Sequence, residues 1–121
     1  MTSSSLVTLL RQQCDGPRDG ALLRFSLGNA LLAGGDAVPA SVEFRRALDF
    51  DPLYSAAWKL LGKACLEAGQ PAAAAEAWRR GIEAANQRGD QQAGKEMSVF
   101  LRRLEKTQPP DPASPARDRT D

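Results

Sequence analysis

Residues 58–78 read Trp58-Lys59-Leu60-Leu61-Gly62-Lys63-Ala64-Cys65-Leu66-Glu67-Ala68-Gly69-Gln70-Pro71-Ala72-Ala73-Ala74-Ala75-Glu76-Ala77-Trp78. Two apolar runs flank a Gly-Gln-Pro turn. Gly69 suits the left-handed position that ends a helix. Pro71 suits the first turn of a new helix, where its missing N–H costs nothing. Gly62 and Ala74 remove side chains where the two helices must touch. Trp58 with Leu61, and Trp78 with Ile82, stand three or four apart, so each set shares a helical face. The stretch reads as helix, tight turn, helix.

The same pattern stands 34 residues earlier. Leu27 falls on Leu61, Gly28 on Gly62, Ala30 on Ala64, Leu32 on Leu66 and Gly35 on Gly69. Ala40 falls on Ala74, Arg45 on Arg79 and Arg46 on Arg80. A random shift would give about two or three identities at ordinary residue frequencies. The remaining matches keep their character: Phe44 with Trp78, Leu48 with Ile82, Asp49 with Glu83. Two units follow, 21–54 and 55–88.

These residues resemble the tetratricopeptide-repeat family, whose unit follows W-x2-L-G-x2-Y, then A-x3-F, then P. The second unit gives Trp58-x2-Leu61-Gly62-x2-Cys65 and Ala74-x3-Trp78. The first gives Arg24-x2-Leu27-Gly28-x2-Leu31, Ala40-x3-Phe44, Ala47 and Pro52. The junction Asp51-Pro52-Leu53-Tyr54-Ser55-Ala56-Ala57-Trp58 looks like the family's link between units. Arg24 for Trp, Cys65 for Tyr, Gly81 for Ala and Asn86 for Pro depart from the pattern. The chain is also similar to small stand-alone bacterial proteins with this repeat, a group without an assigned activity. The resemblance implies an all-α, helical-repeat solenoid of two helix–turn–helix units with flanking N- and C-terminal helices.

The flanks supply the layers that two units lack, since each buries its apolar face only against a neighbour. Ser3-Ser4-Ser5 offers a capping hydroxyl to a helix over about 4–14, with Leu6, Leu9 and Leu10 as its stripe. Gly16-Pro17 ends that helix. A capping helix over about 90–106 carries Ala93, Met97, Phe100, Leu101 and Leu104 on one side. The reading is a single domain, 1–106, of six helices. Pro109, Pro110, Pro112 and Pro115 predict a disordered tail over 107–121. Trp58 is expected to be mostly buried against a neighbouring helix.

Composition narrows the function. The 121 residues are one domain's worth. A net charge of +1 gives no bulk attraction to nucleic acid. The absence of histidine excludes Ser-His-Asp and Cys-His catalysis and His-containing zinc sites. Cys14 and Cys65 stand too far apart for a metal knuckle and read as free thiols. Gly28 and Gly35 are no phosphate loop, because no strand precedes them and no Gly-Lys-Ser/Thr follows. Glu43 with Asp49, and Glu67 with Glu76, fit solvated helix faces. The chain shows no motif for a cofactor or metal. No apolar run approaches the roughly 20 residues needed to span a bilayer. Leu6–Leu10 is followed by Arg11-Gln12-Gln13 rather than a cleavage site. A cytoplasmic protein with neither a membrane nor a nucleic-acid partner is expected.

What remains is binding. The resemblance implies that the first helix of each unit lines a concave surface. The family's ligand-facing positions give Leu22, Phe25, Ser26, Asn29, Leu32 and Ala33 in the first unit. They give Ala56, Lys59, Leu60, Lys63, Leu66 and Glu67 in the second. Asn29, Lys59 and Lys63 form a polar, positive cluster beside Phe25, suited to a carboxylate. The expectation is a non-enzymatic module that holds a short, partly acidic segment of another protein or peptide. The family's carboxylate clamp is not reproduced: Asn29 matches it, but Phe25 and Leu60 replace its Lys and Asn. The alternative is a self-associating protein whose homo-oligomer is the functional unit. Val99, off the main stripe of the last helix, would favour that.

Overall fold

The computed structural model describes residues 3–107. It holds α1 (Ser3–Arg11), α2 (Ala21–Ala33), α3 (Ala37–Phe50), α4 (Ser55–Glu67), α5 (Pro71–Arg88) and α6 (Gln91–Thr107). No strand occurs among the described residues. Thr107, expected to open the tail, instead closes α6; the rest of the expected tail, 108–121, lies outside the described residues.

Each turn follows from its glycine. Gly35 and Gly69 adopt φ of 86° and 78°, a region that side chains resist. The following N–H groups fold back to the helix ends: Asp36 donates to the Leu31 carbonyl and Gln70 to the Cys65 carbonyl, both at 2.9 Å. These bonds satisfy carbonyls that a helix end would otherwise leave bare. α2 then packs along α3, and α4 along α5.

Close approach within each pair rests on a missing side chain. A Cβ at Gly28 would strike the Phe44 ring, and one at Gly62 would strike the Trp78 indole. Phe44, Leu27, Leu61, Met97 and Cys65 are fully buried. The Trp78 N–H donates to the Lys59 carbonyl at 3.1 Å, so the indole is both packed and satisfied. Gly81 serves the next layer in the same way, since a Cβ there would meet Met97 and Trp58.

Two expectations shift. α1 ends at Arg11 rather than near Cys14, and residues 12–14 continue as turns. Ser3 opens α1 rather than standing just ahead of it. Trp58 packs against the core and is mostly buried, as expected, while its N–H donates to the Pro52 carbonyl at 2.9 Å and the Arg80 guanidinium lies 5.6 Å from its ring.

Arg24 fills the position where the family carries Trp, and it is buried. Its guanidinium reaches Asp19 at 2.8 Å, Glu43 at 3.0 Å and Asp15 at 3.3 Å. These contacts tie the α1–α2 loop to both helices of the first unit. An ion pair and a hydrogen bond also join successive links: Arg88 grips Asp51 with two bonds of 2.8 and 3.1 Å, and the Ser55 hydroxyl donates to Asp90 at 2.6 Å. Asp90 in turn accepts the Ala93 N–H and caps α6.

The stack bends. α2 touches α4 and α4 touches α6, whereas α3 and α5 do not approach one another. A cleft of about 590 Å³ opens between those two outer helices, floored by Trp58. The first helices therefore line the inner side. No described helix is long and apolar enough to cross a membrane.

Candidate functional site

The inner face is built by α2, α4 and, unanticipated, α6. On α2, Leu22, Asn29 and Ala33 are exposed and Ser26 is half-buried. Phe25 is less available. Its ring stacks on Tyr54 at 4.9 Å and leans on Phe44 at 5.8 Å, so it belongs partly to the core. Leu60 likewise packs against the core, while Lys63 and Glu67 are exposed.

The two lysines have different fates. Lys59 is only 27% exposed and its Nζ lies 2.7 Å from Glu96 Oε1. Gln92 supports the other carboxylate oxygen at 3.2 Å. The Lys59 ammonium, with Gln92, holds the Glu96 carboxyl below the usual range. The Lys59 charge is thus answered within the chain. Lys63 instead lies over the Phe100 ring at 5.1 Å, with its charge open to solvent. Arg103, one turn beyond Phe100, is exposed and pairs with no carboxylate among the described residues. The free positive charge of this face is therefore Lys63 and Arg103, not Lys59 and Lys63.

Between them, Leu66, Trp78, Phe100 and Leu104 line a shallow apolar cleft of about 280 Å³. Phe100 and Trp78 meet at 5.5 Å. The surface offers a charged rim and an apolar floor, the combination that seats a short peptide. Phe100 and Arg103 were not among the expected inner residues. The signal for them was the polar run Gln92, Glu96 and Arg103 along α6, which makes that helix more than a cap.

Cys65 is buried and Cys14 half-buried. Burial pushes both thiols above their ordinary range, so neither is poised as a thiolate nucleophile. Among the described residues, no group of three or more His, Cys, Asp or Glu could hold a metal.

No family model matches the sequence. The chain is 52% identical over 88 residues to TPR repeat-containing protein PA0015 of Pseudomonas aeruginosa, spanning 73% of this chain and 84% of that one. It is similar to the solution structure of protein BPP2914 from Bordetella parapertussis, at 44% identity, TM-score 0.71, and 88% and 89% of the two chains. The fold also matches a tetratricopeptide repeat domain protein from Salinibacter ruber at TM-score 0.71 and 24% identity, over 80% of this chain and 97% of that one. The Sgt2 TPR domain from Aspergillus fumigatus shares the fold at TM-score 0.66 and 23% identity, over 98% and 78%. With the helix pairs, the glycine contacts and the bent stack, this relationship makes the chain a member of the tetratricopeptide-repeat family, whose repeats generally mediate contacts between proteins and are typically non-enzymatic scaffolds.

Proposed function

We propose that this protein acts without catalysis, by holding a short, partly acidic segment of a partner protein against the inner face of α2, α4 and α6. The observation that carries this reading is the open pair of cations, Lys63 and Arg103, beside the apolar floor of Leu66 and Phe100. A partner carboxylate would meet them, and an apolar neighbour would cover the floor. Asn29 extends the polar strip along α2. The affinity is modest, because an inner surface of this size is small and area alone does not make affinity.

Selection of a random peptide library against the full chain tests it. Enriched peptides should carry Asp or Glu next to a Leu or aromatic residue. Lys63→Glu with Arg103→Glu should weaken their binding by more than about tenfold, since like charges would then face each other. The melting temperature should hold, as both side chains are exposed. Lys59→Glu is a poorer probe, because it also breaks the pair with Glu96. The reading fails if the double reversal has no effect while Arg45→Glu or Arg79→Glu on the outer helices abolishes binding.

A second reading has its own observation. Leu6, Leu9, Val38 and Val42 on α1 and α3 are each 41% exposed or more. Burying them between copies would make the assembly the working unit. Light scattering across a concentration series separates the two readings.

A further inference from the structure

Every first helix but one has its own second helix. α2 is covered by α3 and α4 by α5, whereas α6 is followed by none among the described residues. The uncovered side of α6 forms, with α5, a cleft of about 490 Å³. Its lining includes Ile82 and Asn86 of α5 and Lys95, Ser98, Val99 and Arg102 of α6, with nothing from α4. The cleft is separate from the inner face described above.

We propose that this cleft receives an amphipathic helix from a partner protein, seated where a second helix would pair with α6, with aliphatic residues on its inner stripe and acidic residues beside it. Three observations argue for that occupant. The first is register. Gly28, Gly62 and Ser98 each stand eighth in their helices. In the two complete units an aromatic ring of the second helix fills the space that the glycine leaves, Phe44 at Gly28 and Trp78 at Gly62. Ser98 stands at the equivalent place and lines the cleft. A serine leaves less room than a glycine, so the incoming side chain is smaller than a ring, a Val or Leu.

The second is charge. Lys95, Arg102 and Lys106 follow one another at helical spacing, all exposed, with Val99 between the first two. None forms an ion pair among the described residues. A helix lying here meets a basic edge and needs Glu or Asp to match it. The same edge disfavours a second copy in two-fold pairing, which would set these cations against one another.

The third is the sequence beyond α6. Residues 108–121 contain Pro109, Pro110, Pro112 and Pro115 and no aliphatic side chain larger than Ala. They carry no apolar helical stripe with which to fill the cleft. Residues 108–121 are therefore not the occupant. The second helices of the two complete units, α3 and α5, have 14 and 18 residues, and an occupant of that length spans the cleft.

The test uses the full chain, isotope-labelled for NMR, and two synthetic peptides of α3's length. Both carry Ala and Leu on one stripe; one is flanked by Glu, the other by Lys. The Glu peptide should shift the amides of Ile82, Asn86, Ser98 and Val99, and Lys63→Glu with Arg103→Glu should leave those shifts in place. Lys95→Glu with Arg102→Glu should weaken it by about tenfold or more by calorimetry and turn preference to the Lys peptide. Ser98→Gly should improve binding of a version with Phe in place of the central Leu. Melting temperatures of these variants check that the fold holds. Shifts confined to α2 and α4, or equal binding of both peptides, would overturn the proposal without touching the inner-face reading. So would a chain ending at Thr107 whose free spectrum differs from the full chain at Ser98 and Val99, since residues 108–121 would then be the occupant.

Discussion

At the scale of single residues, the chain depends on what glycine leaves out and on what one arginine gathers. Gly62 admits the Trp78 indole, so even Gly62→Ala forces the ring or the backbone to move. It should cost about 1–3 kcal/mol, as overpacking does. Gly69→Ala meets open space but holds a positive φ, and should cost about 1–2 kcal/mol. Urea unfolding of the two variants checks the order, and a Gly62→Ala protein as stable as the parent would refute the packing. Arg24→Leu should lower the melting temperature more than Arg46→Leu, because it removes the buried guanidinium that Asp19 and Glu43 share and leaves Glu43 only the longer contact with Arg11 at 3.7 Å. These two cases differ in legibility. Gly62 announces itself through the 34-residue spacing, since a missing side chain at a helix contact repeats with the contact. Arg24 reads in the sequence as a mere departure from Trp. Its meaning needs Glu43, 19 positions away on another helix, and that proximity exists only after folding.

At the scale of elements, α6 is the piece that sequence periodicity understated. α3 has 14 residues and α5 has 18, so the helix after α5 falls out of the 34-residue register. Its apolar side was legible as Ala93, Met97 and Leu104, and these are buried as the stripe requires. Its polar side was not, because Glu96 means little until Lys59 stands beside it. The inner residues of α2 and α4 were placed by family position, but that position could not show Phe25 stacking on Tyr54. A chain lacking residues 90–107 should lose more than a cap. It uncovers Trp78, Ala85 and Gly81, and leaves Lys59 without Glu96. Aggregation or loss of helical signal beyond α6's own share is the expected outcome by circular dichroism and light scattering. A folded monomer would show that α4 and α5 are self-sufficient.

At the scale of the whole molecule, stability is shared between neighbours and is sensitive to acid. Asp19 is held below the usual carboxylate range by Arg24, Asp51 by Arg88, Asp90 by the Ser55 hydroxyl and the Ala93 N–H, and Glu96 by Lys59 and Gln92. A carboxyl with a lowered folded pKa contributes stability above its unfolded value of about 4, and loses it as pH falls through the folded one. The melting temperature should therefore be flat from neutral pH to about 5 and drop below about 4. A flat profile down to about pH 2 would mean that these pairs carry no net stability. Amide exchange should be slower in α4 and α5, each packed between neighbouring helices, than in α1, which packs only on α2. Trp58 and Trp78 both lie on those two helices, one partly open beside Arg80 and the other sealed against Phe100. Tryptophan emission therefore reports directly on the second unit, and melting that starts in the first half of the chain has to be followed through Tyr54, stacked on Phe25, or through circular dichroism.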